Sequence, residues 1–300
     1  MLKSISIVTI LAQDLESVEV AWRDYLDYSV IERGKISEAL AGVWGAPRMA
    51  GRDFLLLQPA SGEPVYLRFV AAEPVVGYAA LRSFGWNAAE LLVADPDALA
   101  RRLQRSPFRI VGPPRNLSST DAIRAMQVIG PAGELLYLTR VKPGASGFDL
   151  ESARSEVDRV FIVVVGGSDL ESLRKFYADR LVASVSPPAA YRISVLSQAY
   201  GMDSEQLHQL SVARLSTRFL IELDQYPPGA VARPRRAGEL PPGMATVSFE
   251  VESLEASPLQ FIAPAASLPE WPYQGRRVAA ATGLAGEMIE LIEAPTRMLS

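Results

Sequence analysis

One histidine and no cysteine occur in 300 residues, so the chemistry open to this chain is narrow from the start. Disulfides, thiolate nucleophiles and zinc–sulfur sites are excluded, and with His208 alone a site of two histidines and one carboxylate is impossible. What remains are carboxylates, guanidinium groups and phenols on apolar, strand-like stretches. Strand alternation puts residues i and i+2 on one face, which groups Tyr66 with Arg68, Trp86 and Ala88 with Glu90, and Tyr137 with Thr139. Arg68 is suited to hold a carboxylate or a developing enolate in its fixed fork of donors. Glu90 is suited to move a proton if burial raises its pKa towards neutrality. Glu222, Glu290 and His208 also lie in strand-like runs, and an imidazole beside a carboxylate is a general-base arrangement. Each residue has a plainer reading too: a half-buried tyrosine, a structural Glu–Arg pair, a histidine that only packs.

Composition narrows the partners. A net charge of −4 with no Lys/Arg-rich tract argues against nucleic acid, and Arg233, Arg235 and Arg236, set among prolines, read as a solvated loop. With 49% apolar and 21% charged residues the chain has a soluble, globular profile. The apolar stretch from Ile5 to Ala12 is followed at once by Asp14 and Glu16, without a small-residue cleavage site, so it reads as a buried first strand and not a signal peptide. Runs such as Phe161 to Val165 are too short to span a bilayer. The expectation is a cytoplasmic protein with a small-molecule ligand and no nucleic-acid or membrane partner.

The elements that must position these residues come in repeats. Asp14-Leu15-Glu16-Ser17 returns 155 residues later as Asp169-Leu170-Glu171-Ser172. Before each copy runs an apolar strand pattern, and after each a helical stripe: Leu15, Val18, Trp22 and Tyr25 in one, Leu170, Leu173, Phe176 and Tyr177 in the other. The aspartate stands where an N-cap belongs. Trp44-Gly45 lines up with Tyr200-Gly201. Gly130-Pro131-Ala132-Gly133-Glu134 answers Gly283-Leu284-Ala285-Gly286-Glu287, and Arg124 answers Arg277, both at a spacing of 153. The string at Asp149 to Ser152 repeats the first motif by accident. Within each half, strand, helix, strand, strand, strand occurs twice. That gives modules at 1–74 and 84–142 in a first domain of 1–145, a linker at 146–156, and modules at 157–227 and 243–295 in a second domain. The helix of the last module is cut short by Pro258.

Paired βαβββ modules, with an apolar first strand running into Asp-Leu-Glu and a last strand after Ala-Gly-Glu, resemble the vicinal oxygen chelate superfamily of glyoxalases, bleomycin-resistance proteins and type I extradiol dioxygenases. The resemblance implies an α+β fold in which four modules make two cups, the first from modules one and two and the second from modules three and four. It also implies a divalent metal held by the first and last strands of each module. The matching positions are Ile7, Tyr66, Ala88 and Tyr137 in the first cup and Ile162, Glu222, Ala245 and Glu290 in the second. The first set holds no plausible ligand, and the second only the weak candidates Glu222 and Glu290. No cofactor is expected, and extradiol chemistry is excluded. The first cup would carry catalytic Glu90, Tyr66 and Tyr137, with Arg68, Trp86, Thr139 and Arg124 binding substrate and Trp44 and Arg48 closing the mouth; His208 would serve the second.

Three readings stay open. One is a metal-independent lyase, isomerase or hydrolase moving protons on a small aromatic or polycyclic compound. The others are a binder that sequesters a hydrophobic compound, as bleomycin-resistance proteins do, and a divergent metalloenzyme using the second cup. The first is preferred because ionisable groups in a cup cost desolvation that a purely apolar binder would avoid. A homodimer is left open.

Overall fold

The computed structural model describes residues 1–117, 120–144, 150–182 and 184–295; part of the expected linker, 146–149 with Asp149, and the domain edge at 145 lie outside them. The first module contains β1 (Ser4–Ala12), α1 (Leu15–Leu26), β2 (Tyr28–Lys35), α2 (Glu38–Val43), a 3-10 turn at Pro47–Met49, β3 (Asp53–Pro59) and β4 (Tyr66–Ala71). The second contains β5 (Gly85–Val93), α3 (Pro96–Leu103), β6 (Arg109–Asn116), β7 (Ile123–Ile129) and β8 (Leu135–Val141). The third has β9 (Val157–Gly167), α4 (Leu170–Arg180), β10 (Ser184–Val185), β11 (Ala189–Arg192), α5 (Ser194–Ala199), β12 (Leu207–Arg214) and β13 (Leu220–Gln225). The last has β14 (Met244–Val251), β15 (Ala266–Ser267), β16 (Arg277–Thr282) and β17 (Met288–Glu293). No helix follows β14; the chain turns through Ser253–Leu254 towards Pro258 instead.

The repeated aspartates are helix caps. Asp14 accepts from the Ser17 amide, Asp169 from Glu171 and Ser172, and Asp95 from Asp97 and Ala98. Each thereby satisfies amides that the first helical turn leaves without partners. The repeated Ala-Gly-Glu turns are also structural. Gly133 and Gly286 adopt left-handed φ of 79°, which glycine enters without strain. The following Glu134 and Glu287 fold back onto the turn, accept the amides of Ala132 and Ala285, and receive Trp22 Nε1 (3.0 Å) and Tyr177 OH (2.9 Å) from α1 and α4. Each helix is thus pinned to the module that follows its own.

Module pairing departs from expectation. The strands form two sheets, ordered β15-β16-β17-β14-β1-β4-β3-β2 and β10-β12-β13-β9-β5-β8-β7-β6. Module one shares its sheet with module four, and module two with module three. The two sheets meet over the largest apolar core, where Trp22, Phe69 and Phe249 of one pack with Leu91, Val163 and Ile221 of the other. The expected quartets are therefore split: Ile7 and Tyr66 join Ala245 and Glu290, while Ala88 and Tyr137 join Ile162 and Glu222. The physical reason is that β1 and β5 are buried on both faces and each offers one free edge; antiparallel pairing of β1 with β14 and of β5 with β9 satisfies those edges. No helix among the described residues is long and apolar enough to cross a membrane.

Candidate functional site

The cup of modules one and four is filled by its own chain. Arg68 and Glu290 are 2% and 0% exposed and lie 3.7 Å apart. Arg68 donates to Thr9 Oγ1 (3.1 Å) and the Tyr273 hydroxyl (2.8 Å), and its guanidinium stacks between the rings of Trp44 and Tyr273. Glu290 accepts from Trp44 Nε1 (2.5 Å), Ser248 Oγ (2.6 Å) and Tyr273 OH (2.9 Å). Every charge in this network has a partner, as a buried ion pair requires. Trp44, expected as a lid, is the plug, and Arg68, expected to hold substrate, is engaged by the protein itself. Tyr66 borders the plug beside Trp271, their rings 6.1 Å apart.

The cup of modules two and three stays open. The repeat explains the difference, because Tyr200, the counterpart of Trp44, does not insert. Its hydroxyl donates to the Leu81 carbonyl (3.0 Å) and its ring lies under Arg82. What remains is a cavity of about 420 Å³ whose lining includes Glu90, Arg115, Tyr137, Thr139, Ile162 and Glu222. Glu90 pairs in register with Tyr137 on β8 and with Ile162 on β9. Glu222 sits two strands away from Glu90 and on the same face as Asp224.

Electrostatics distinguish this cup. Burial, reinforced by the charge of Glu222 and opposed by the Thr139 hydroxyl, pushes Glu90 up to about 8. Burial also raises Asp224 to about 7 and, with the charge of Asp224, lifts Glu222 well above the carboxylate range. The Tyr137 phenol rises too, through burial and then the nearby carboxylates. Arg115, on β6, donates to the Arg192 carbonyl (3.3 Å) and Ser194 Oγ (3.1 Å). Gln127 Oε1, Asp224 Oδ1 and Tyr226 OH are buried without a hydrogen-bond partner. Buried polar atoms are seldom left so, and Gln127 lines the cavity.

Other expected residues lie elsewhere. Trp86 does not share a face with Glu90: a bulge between Trp86 and Ala88, held by Asn87 bonding back to Ser83, Gly85 and Leu81, turns it into the core, where its Nε1 donates to the Met288 carbonyl across the sheets. Arg124 makes a paired contact with Asp97 (2.6 and 2.7 Å) outside the cup, and its repeat partner Arg277 bonds to Glu255 through one guanidinium nitrogen. Arg48 projects into solvent 3.6 Å from Glu239. Among the described residues no carboxylate pairs with His208; its Nε2 shares a 2.8 Å hydrogen bond with Ser197 Oγ of α5, and burial pushes its pKa down. Asp224 and Arg115 were missed. Alternation from Glu222 points to the first, but nothing local marks the second. A larger crevice of about 560 Å³ opens at Asp169 and Arg233, but Asp169 caps α4 and Arg233 is bound to the carbonyls of Trp86 and Met244.

The donor sets do not fit the metal that the resemblance implies. The filled cup presents a guanidinium where a cation would sit, and the open cup offers carboxylates without an imidazole. No group of three or more His, Asp or Glu among the described residues is placed to hold a metal ion. After incubation with zinc, iron(II) or manganese and desalting, the protein should retain well under one equivalent by elemental analysis.

Raised carboxyls give stability a pH dependence. Glu90 (about 8) and Glu134, Glu287 and Asp224 (each about 7) bind protons more tightly folded than unfolded. Their contribution is fully present below the unfolded carboxyl range and is lost as pH rises through 7 to 8. The melting temperature should fall by several degrees between pH 6 and pH 8.5, and Glu90→Gln should flatten that slope.

The fold defines the class: this chain has the vicinal oxygen chelate fold, in a four-module form. Maize glyoxalase I is similar over 97% of this chain and 92% of its own, at TM-score 0.62 and 12% identity. A Bacillus subtilis protein assigned as a dioxygenase is similar over 98% and 86%, at TM-score 0.62 and 8% identity. At such identities the likeness is one of fold. No protein-family model matches the sequence, nor does any curated protein.

Proposed function

We propose that the cup of modules two and three binds a small aromatic or polycyclic compound and transfers a proton on it without a metal, as a lyase, isomerase or hydrolase. The observation that carries this is Glu90, a buried carboxyl at about 8 facing an accessible cavity. At neutral pH it holds its proton and serves as a general acid. Asp224, near 7 beside Glu222, gives the pair one negative charge to act as base. Carboxyls poised apart in this way are how one site runs acid and base steps together. Tyr137 and Phe161 provide aromatic wall. A cysteine-free sequence fits the cytoplasm.

The test begins with ligands, because binding to the folded state raises the melting temperature by mass action whatever the reaction. Aromatic and polycyclic hits are then incubated with the protein and analysed for products. Product formation that depends on Glu90 supports the enzyme. Tight binding with no product from any hit would make the chain a sequestering protein.

A further inference from the structure

The floor of the open cup is built of acceptors and acids. Glu90 and Glu222 line it, and Asp224 lies beneath, 1% exposed. Gln127 Oε1, in a side chain 6% exposed, has no partner there. No lysine lines the cavity, and its arginines, Arg115 and Arg192, stand beside exposed Tyr191 and Asn116 at the mouth. His208 is not among the lining residues and its Nε2 is bonded to Ser197. The contrast with the other cup is instructive: there a single carboxylate, Glu290, is buried against an arginine from the chain itself. Here at least as much acid is buried, and the protein supplies no cation to match it. At neutral pH one negative charge, shared by Glu222 and Asp224, stays on the floor. A cationic ligand would neutralise it.

We propose that the compound this cup takes carries a protonated nitrogen, a primary or secondary amine on an aromatic body, seated on the floor between Glu90 and Glu222. This rests on the cup being the ligand site, and it names the charge of what enters. Arg115 and Arg192 at the mouth repel the same cation, so the nitrogen points inwards and the ring lies against Tyr137, Ile162 and Phe161. The waiting acceptor, Gln127 Oε1, is suited to a remaining N–H group. Glu222 and Asp224 share one negative charge at neutral pH, and the cation pairs with it while Glu90 keeps its own proton; a proton takes that charge as pH falls, so binding must strengthen from pH 6 upward.

Calorimetry on the full chain decides it, using benzylamine, tryptamine and 1-naphthylmethylamine against the matched acids phenylacetate, indole-3-propionate and 1-naphthylacetate, at pH 6, 7 and 8. We expect at least one amine to bind tenfold or more tighter than its matched acid. Its affinity should rise several-fold from pH 6 to pH 8, a range in which the amine stays charged. Glu90→Gln and Glu222→Gln should each erode that preference, and the pH slope of the unaltered protein stands even if a variant fails to fold. Acids that bind as well as amines, an amine affinity that is flat or falls with pH, or no amine binding at millimolar concentration would each overturn the inference. Amine binding without turnover upholds it while sinking the proton-transfer reading; Glu90-dependent turnover of an uncharged compound does the reverse.

Discussion

Glu90→Gln should lower turnover by about 10²-fold or more, the usual scale for losing a general acid, while the protein folds as before. Glutamine keeps the size and one hydrogen-bonding oxygen of the side chain but cannot release a proton. Since Glu90 titrates near 8, the acid limb of catalysis should fail as pH rises through that value, and in the variant the limb should vanish along with the rate. Glu222→Gln should also lower turnover, because Glu222 faces the same cavity. Arg68→Met and Glu290→Gln, in the filled cup, should leave the rate close to that of the unaltered protein. Full activity in Glu90→Gln, or a rate that collapses only in the filled-cup variants, would move the chemistry to modules one and four.

The second large effect concerns stability. Glu290→Ala leaves the Arg68 guanidinium buried and unpaired, and strips acceptors from Trp44, Ser248 and Tyr273 at once. Breaking a buried pair from one side costs about 3–5 kcal/mol. At roughly 2–4 °C per kcal/mol for a chain of this class, the melting temperature should drop on the order of 10 °C. Arg68→Met combined with Glu290→Leu removes both charges, and such hydrophobic replacement is often neutral, so the double variant should recover most of the loss. Thermal melts of the two variants, with amine titration as a control on the open cup, give the reading. A melting point unmoved in Glu290→Ala would mean that the plug is loose and that this cup opens to solvent.

The sequence by itself determined the modules. Apolar runs, caps at Asp14 and Asp169, and turns ending in Glu134 and Glu287 are local signals, set by hydrogen bonds made within a few residues, and the structure reproduces them. Strand alternation put Tyr137, Thr139 and Glu90 on cup-facing positions for the same reason. Alternation failed at Trp86 because Asn87 satisfies three backbone groups and absorbs a bulge, and a one-residue slip reverses a face. Which module pairs with which was decided only by tertiary structure. The first strands of all four modules present similar apolar edges, so pairing rests on contacts between residues from 64 to 246 positions apart, and no local pattern records them. That choice separated Arg68 from Glu90 and Glu222 from Glu290. The last decision lay in one side chain of each repeat: Trp44 reaches Glu290 and closes one cup, whereas Tyr200 bonds to Leu81 at the rim and leaves the other open. Both are aromatic residues before a glycine, and only the partner in reach tells them apart.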